Sequence, residues 1–203
     1  MKILMLFLVL LMNAVTVSAV EYDEGIDYKL VGTSAAGPAD KIEVLEFFWY
    51  GCPHCHIVEP YIQSWKKSKP ANVKFVRVPA IFWPDWEVQA RIYYALSTMG
   101  VIEENHEKIF NEIHKNKKRL DKKELIVNFL VKNGVDKNTL LEEYNSFAVD
   151  GMLRKNKRKQ DLYQIDGVPS VIVNGKYLVT GSMAGSYDNM IKIMDYLIAK
   201  ESE

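Results

Sequence analysis

The sequence predicts an α/β fold in which one mixed central sheet is interrupted by an all-helical segment. A strand–helix–strand pattern covers residues 42–79, helical periodicity runs over 84–163, and a hairpin followed by an amphipathic helix ends the chain. A helix joins the first two strands, so they should be parallel, whereas the strands of a hairpin must be antiparallel. We therefore expect residues 20–83 and 164–203 to share one sheet, with 84–163 as a helical insertion.

The first half of the sheet is predicted from the letters IEVLEFFWY at 42–50. These residues are β-branched or aromatic, which favours a buried strand, and Gly51 ends the run. Residues 55–67 then place apolar side chains along one helix face, and Pro60 inside this helix predicts a kink. The remaining predicted pieces are a strand at 73–79, a short strand at 28–31 and a loop at 33–40.

The second half of the sheet is predicted from VPSVIVNGKYLVTG at 168–181. Two β-branched runs flank Asn174 and Gly175, which is the pattern of a tight hairpin. Residues 186–200 follow with the spacing of an amphipathic helix. This order predicts two antiparallel strands that are covered by the last helix.

Several residues of the helical insertion are typical of helix ends. Gly100 and Gly134 occupy positions where a helix C-cap is expected. Asp121 and Asp136 occupy positions where a helix N-cap is expected. The insertion is thus predicted to consist of several short helices.

The first 19 residues have the three-part form of a secretory signal peptide. Lys2 precedes an apolar run over 3–12, and Val17 and Ala19 supply small residues for cleavage after Ala19. A retained anchor is disfavoured, because the run is short and acidic residues follow it instead of a basic stop-transfer cluster. We therefore expect an exported protein that resides in the periplasm.

The charge of the chain excludes one class of partner. The chain has 26 basic and 26 acidic residues, and removing residues 1–19 takes away only Lys2, which leaves a net charge of −1. Such a balance gives no electrostatic basis for binding nucleic acid or an anionic membrane surface. We expect no nucleic-acid partner.

The letters CPHCH at 52–56 contain the only two cysteines and fit three kinds of site. Covalent haem attachment would use both thiols and His56, but it does not require the surrounding strand–helix–strand unit. A zinc site needs four converging ligands, and adjacent residues cannot supply them. His106 and His114 lie at helical positions in charged stretches, where we expect them to face solvent. We therefore expect no metal site.

A redox dithiol explains the position of each residue in this motif. Cys52 should lie just before the first turn of the helix, where free N–H groups and the helix dipole stabilise a thiolate. Pro53 presets the helical φ, and His54 adds further stabilisation. Cys55 lies one turn in and should be shielded. Stabilising the thiolate favours only the reduced form, so the disulfide should be an oxidant.

Two segments resemble the thioredoxin superfamily and, more closely, its DsbA-like periplasmic disulfide oxidoreductases. They are EFFWYGCPHC at 46–55 and GVPSVIVNGKY at 167–177, separated by the helical insertion. The resemblance covers nearly the whole chain after the signal peptide. It implies a thioredoxin fold with an inserted all-helical subdomain and no cofactor other than the disulfide itself.

The resemblance also implies roles for five residues of these segments. Cys52 would be the nucleophile, Cys55 its buried partner and His54 the residue that stabilises the thiolate. Val168 and Pro169 would form a cis-proline dipeptide that packs beside the disulfide and offers backbone groups to an extended substrate.

Three charged residues correspond to a buried charge group of the family. Glu46 would assist proton movement near the second thiol, Glu59 is a second nearby acid, and Arg77 would be their basic partner. A Glu inside an apolar strand is costly unless it is paired or functional, although strand alternation could instead turn Glu46 outward. Which acid pairs with Arg77 is left open, as are the effects of Gly51 and Pro60.

The sequence thus predicts an enzyme that donates the Cys52–Cys55 disulfide to reduced exported proteins through a mixed disulfide at Cys52. The resemblance implies a monomer that is reoxidised by a membrane quinone reductase like DsbB. The alternatives are a disulfide isomerase or reductase of the same fold, a redox-inactive binding or chaperone module, and a c-type cytochrome. Residues 20–41 are too few for the extra dimerisation domain of dimeric isomerases.

Overall fold

The computed structural model describes residues 21–32 and 41–202. Its five strands form one sheet in the order β1-β5-β4-β2-β3. β2 and β3 are parallel, whereas the other neighbours are antiparallel, so the predicted mixed sheet is confirmed. The strands are β1 (Lys29–Leu30), β2 (Ile42–Phe48), β3 (Val73–Pro79), β4 (Ser170–Val173) and β5 (Tyr177–Thr180).

Helices cover the sheet and fill the interval between β3 and β4. They are α1 (Pro53–Ser68), α2 (Glu87–Thr98), α3 (Ile102–His114), α4 (Lys123–Lys132), α5 (Lys137–Tyr144), α6 (Phe147–Leu162), α7 (Gly181–Ala184) and α8 (Tyr187–Lys200), with a 3₁₀ turn at Pro84–Trp86 before α2. The helices α2 to α6 form the helical insertion, and its boundaries as a separate domain stay a prediction. The predicted signal peptide and the predicted loop at 33–40 lie outside the described residues.

Strand β2 is central in the sheet and positions the CPHC motif. Of its residues only Glu43 is not fully buried, as expected for a strand covered on both faces. Val44 packs with α1 and α8, whereas Phe47 packs against Tyr163 at the end of α6. Phe48 joins the core of the insertion, in the same apolar cluster as both cysteines. The end of β2 is therefore held by the sheet and the insertion together.

The helix ends follow the sequence expectations with one exception. Gly100 and Gly134 have positive φ values of 75° and 92° after the helices that they end. Asp136 accepts a hydrogen bond from the N–H of Thr139, as an N-cap does. The prediction for Asp121 is wrong, because α4 begins after Lys122 and the carboxylate of Asp121 is instead bound by the guanidinium of Arg119.

Helix α1 begins at Pro53, as the predicted position of Cys52 before the first turn requires, and continues through Pro60 to Ser68. Within the part of the chain that the structure describes, no helix has the length and apolar character needed to cross a membrane.

Candidate functional site

Cys52 lies at the N-terminus of helix α1. It is the N-cap residue, its Sγ accepts a hydrogen bond from the backbone N–H of Cys55 at 3.4 Å, and Pro53 occupies the first helical position. The Cys52 side chain sits at the surface end of the apolar cluster, whereas Cys55 lies deeper, with 7% and 1% of their surfaces exposed. Both are free thiols. The two sulfurs therefore differ in access although they share one helical turn.

The surroundings of Cys52 favour its thiolate. Its pKa is lowered to about 6, first because the thiol of Cys55 donates a hydrogen bond to its sulfur. The backbone N–H groups of Cys55 and His54 and the charge of His54 act in the same direction, against the effect of burial. Orphan N–H groups at a helix N-terminus provide this kind of anion stabilisation.

The surroundings of Cys55 have the opposite effect. Burial raises its pKa well above the ordinary value, and the hydrogen bond to Cys52 and the negative charge of that sulfur raise it further. In the reduced protein, Cys55 thus carries the proton that stabilises the Cys52 thiolate.

Val168 and Pro169 lie directly beside Cys52. The peptide bond between them is cis, and Cys52 Sγ is 3.5 Å from the carbonyl oxygen of Val168. A cavity of about 460 Å³ opens here between this loop and the first turns of α1 and α8. Its lining includes Asp166, Pro169, Thr180 and the His54 ring. An extended peptide laid in this cavity would meet the backbone of the loop, and the Val168 carbonyl of that loop is the group beside Cys52 Sγ.

His54 points into the same cavity from the first turn of α1. Its Nδ1 lies 2.8 Å from the hydroxyl of Tyr187, the first residue of α8. No sequence pattern indicates this contact, because the two residues are 133 positions apart.

Glu46, Arg77 and Glu59 form one buried charge group behind Cys55. The parallel register of β2 and β3 places Glu46 opposite Arg77. Arg77 Nε lies 3.0 Å from Glu46 Oε2, and its Nη2 lies 2.6 Å from Glu59 Oε1. Arg77 therefore binds both acids, which answers the question that the sequence left open.

The two acids of this group differ in pKa. Burial raises the pKa of Glu46 to about 7, although Arg77 opposes the rise. Burial acts in the same direction on Glu59, but N–H groups of His106, Arg77 and Gln63 directed at its carboxylate outweigh it and lower its pKa. Glu46 is thus the acid that can exchange a proton near neutral pH, and its charge is among those that raise the pKa of Cys55.

His106 extends the charge group, which contradicts the expectation that it faces solvent. Only 1% of its surface is exposed. Its Nδ1 lies 2.8 Å from the hydroxyl of Tyr50, and its Nε2 lies 3.4 Å from Glu59 Oε2. Burial and the charge of Arg77 lower its pKa to about 4, so it is neutral at pH 7. The contacts fit a ring that accepts from Tyr50 and turns its Nε2–H toward Glu59.

His114 also does not lie free in solvent, as the sequence had suggested. Its Nε2–H donates to the backbone carbonyl of Tyr50 at 2.8 Å, and its ring stacks on His56 with centroids 4.9 Å apart. The reason for both errors is a helix face of α3 that carries polar letters but packs inward with Ile109 and Phe110. The sequence signal for this face is the helical spacing of His106, Ile109, Phe110 and His114, which places the two histidines on the same side as two apolar residues.

Gly51 makes room for an aromatic ring next to the motif. A Cβ atom at this position would lie 2.3 Å from the indole of Trp49. That indole stacks on Trp86 of the insertion with centroids 3.7 Å apart. A glycine before Cys52 thus permits the end of β2 to pack tightly against the insertion.

None of the described residues form a group of three or more His, Cys, Asp or Glu side chains that could hold a metal ion. Arg77 instead binds Glu46 and Glu59, and the ring of His106 binds the hydroxyl of Tyr50.

Comparison with known proteins agrees with this geometry. Residues 76–190 match the family model described as DSBA-like thioredoxin domain. The chain is 43% identical over 182 residues to the thiol:disulfide interchange protein DsbA of Pseudomonas aeruginosa, covering 89% of this chain and 86% of that protein. It is 44% identical over 161 residues to the protein of the same name from Azotobacter vinelandii, covering 79% and 75%.

Solved structures give the same result. The crystal structure of Pseudomonas aeruginosa DsbA superposes with a TM-score of 0.84 at 43% identity, covering 89% of this chain and 95% of that chain. The oxidoreductase DsbA from Xylella fastidiosa superposes with a TM-score of 0.79 at 30% identity, covering 87% and 95%. The chain belongs to the DsbA-like thioredoxin family and is a thiol:disulfide oxidoreductase.

Proposed function

We propose that the protein donates the Cys52–Cys55 disulfide to reduced, unfolded exported proteins through a mixed disulfide at Cys52. The observation that supports this best is the position of the two sulfurs. Cys52 lies at the helix N-terminus beside the Val168 carbonyl and an open cavity, whereas Cys55 is buried behind it. A substrate can reach only the first sulfur, and that sulfur is the better leaving group.

The reaction begins with attack by a substrate thiolate on Sγ of Cys52. A substrate–Cys52 disulfide forms and the Cys52–Cys55 bond breaks, so Cys55 leaves with the electron pair and takes up a proton. The high pKa of Cys55 favours this protonation. Glu46, with its pKa near 7, would supply that proton through the buried charge group.

A second substrate thiolate then attacks the substrate sulfur of the mixed disulfide. The new substrate disulfide forms and Cys52 leaves as a thiolate, which its low pKa makes easy. The substrate has lost two electrons and two protons. Both protons are released to solvent when the substrate thiolates form, and Glu46 takes one back after protonating Cys55. The protein has then gained two electrons and one proton, and the other proton stays in solvent.

Pro53, His54 and the cis-proline loop would prepare this reaction. Pro53 and His54 form the first turn that stabilises the Cys52 thiolate. Val168 and Pro169 would hold the substrate backbone in extended form beside the sulfur, as the cavity between them and α8 permits. Arg77 and Glu59 would keep Glu46 in place.

The cellular setting is part of the same proposal. The predicted cleavage after Ala19 would deliver the protein to the periplasm. We propose that it acts there as a monomer without a further cofactor, and that a membrane quinone reductase like DsbB restores its disulfide. N-terminal sequencing of the periplasmic form tests the cleavage site.

The disulfide transfer is tested by trapping its intermediate. Cys55→Ser keeps the nucleophile but cannot resolve the mixed disulfide, so it should accumulate a covalent complex with an oxidised, unfolded exported protein, seen on a non-reducing gel. Cys52→Ser is the matched control and should form none. Equal yields of complex with both variants, or no complex with either, would refute the assignment of Cys52 as the residue that forms the mixed disulfide.

A further inference from the structure

We propose that Tyr187 is a positioning residue for His54 and, through it, sets how oxidising the Cys52–Cys55 disulfide is. The inference rests on the proposed function, in which Cys52 is the nucleophile and His54 stabilises its thiolate. It is carried by one contact, the 2.8 Å separation of His54 Nδ1 and the hydroxyl oxygen of Tyr187.

The fold holds the Tyr187 side chain in place for this contact. Tyr187 begins helix α8, and the preceding Ser186 caps that helix by accepting from the N–H of Asn189. A Cβ atom at Gly181 would lie 3.4 Å from the Tyr187 ring, so the backbone of Gly181 packs against the ring. The ring of Tyr61 lies 6.1 Å away on the side of α1. The hydroxyl is therefore presented to His54 by two helices that meet at the cavity.

The chemistry of the contact favours one direction of the hydrogen bond. Burial raises the pKa of Tyr187, and the charges of Cys52 and Cys55 raise it further, so the hydroxyl stays neutral. A neutral oxygen can accept from Nδ1–H of a protonated His54, which is a charge-assisted bond and stronger than a neutral one.

A hydrogen bond that favours the protonated ring also favours the thiolate of Cys52. The thiolate exists only in the reduced protein, so the bond stabilises the dithiol relative to the disulfide. Tyr187 would thus make the disulfide more oxidising without touching either sulfur.

The test uses Tyr187→Phe, which removes only the hydroxyl. In glutathione buffers, the equilibrium between disulfide and dithiol should shift about threefold toward the disulfide, because His54 is exposed and one exposed hydrogen bond is modest. Threefold corresponds to about 14 mV for a two-electron couple. The pKa of Cys52, followed by thiolate absorbance, should rise in parallel. Glutathione is the probe because it is small, so the measured equilibrium does not depend on how a protein substrate fits the cavity.

Tyr61→Phe is the matched control. It removes a hydroxyl from the neighbouring ring, which is exposed, and should leave both measurements unchanged. An equal shift in Tyr61→Phe and Tyr187→Phe would overturn the assignment to Tyr187.

A double-mutant cycle with His54→Ala separates this inference from the proposed function. We expect His54→Ala alone to shift the equilibrium toward the disulfide and Tyr187→Phe to add nothing in that background. If His54→Ala shifts the equilibrium but Tyr187→Phe does not, only the role of Tyr187 fails. A Tyr187→Phe effect that persists without His54 would refute the route through the ring. No shift in His54→Ala would remove both His54 and Tyr187 from the stabilisation of the thiolate, whereas disulfide donation through Cys52 would still stand or fall with the trapping experiment.

Discussion

Cys52 and Cys55 lie three residues apart on one helix turn, yet their pKa values shift in opposite directions. Around Cys52 is an open side made of helix N–H groups, His54 and the cis-proline loop. Around Cys55 is a closed side made of apolar side chains and the buried charge group of Glu46, Arg77 and Glu59. The pKa of each thiol is therefore set by its surroundings, and the disulfide is oxidising because the reduced protein stabilises a thiolate at Cys52 and a thiol at Cys55.

The two sides also differ in how they are built. The open side depends mostly on one short segment, since the N-cap and the first turn of α1 come from consecutive residues. The closed side joins β2, β3, α1 and α3 through Glu46, Arg77, Glu59 and His106. Substitutions on the closed side should therefore lower the unfolding free energy, whereas substitutions on the open side should change the redox reactivity of Cys52.

The largest effect is expected from Arg77→Met, which leaves two buried carboxylates without their cation. Removing one partner of a buried ion pair costs about 3–5 kcal/mol of unfolding free energy. Lys74→Met is the matched control on the same strand, because Lys74 pairs with Glu43 at the surface at 3.2 Å. Its cost should be below about 1 kcal/mol. Urea unfolding of both variants measures these losses. Equal losses of unfolding free energy would contradict the idea that burial makes the Arg77 ion pairs more important than the surface pair.

A smaller effect is expected from His106→Leu. The substitution removes the acceptor of the Tyr50 hydroxyl, which leaves that buried hydroxyl unpaired, and it removes the ring nitrogen that faces Glu59 at 3.4 Å. We expect a loss of about 2–3 kcal/mol in unfolding free energy. His114→Leu, on the same helix but only half-buried, should cost about 1 kcal/mol. If His106→Leu were neutral, His106 would not belong to the closed side.

The smallest effect is expected from pH, and it separates the two redox forms. The Cys52 thiol in the reduced fold has a pKa of about 6, below its ordinary 9.0. A lowered pKa contributes stability that is present above the ordinary value and lost as pH falls through about 6. The oxidised protein has no such group. As the pH is lowered from 8 to 5, the unfolding free energy of the reduced protein should therefore fall by about 1–2 kcal/mol more than that of the oxidised protein, after allowing for solvent screening.

Thermal unfolding of both forms in the same buffers measures this change. Glu46 and His106 titrate in both forms, so their contributions largely cancel in the difference. The thiolate would not be stabilised if the unfolding free energy of the reduced protein, minus that of the oxidised protein, stayed constant over this range or increased as the pH falls.

The open side was largely predictable from the sequence, because its causes are local. β2, the N-cap position of Cys52, Pro53 and the hairpin around Asn174 follow from consecutive letters. The sequence also placed Glu46 in a buried strand, where a carboxylate needs a partner.

The closed side was only partly predictable, because its contacts depend on register and packing. The pairing of Arg77 with Glu46 needs the exact alignment of β2 and β3. The prediction that His106 faces solvent is wrong, because the charged residues next to it in the sequence conceal that one face of α3 packs inward. On the open side, Tyr187 is the exception, because no sequence pattern indicates its contact with His54 and only the folded chain brings the two together.

The reduction potential of the Cys52–Cys55 disulfide, measured in glutathione buffers, decides whether the protein is a disulfide donor. Trp49 fluorescence is one readout of the two redox forms. Stabilisation of the Cys52 thiolate should make the Cys52–Cys55 disulfide clearly more oxidising than that of thioredoxin, at roughly −270 mV. A potential well above that value would support a disulfide donor. A potential at or below it would contradict the account and indicate a reductase.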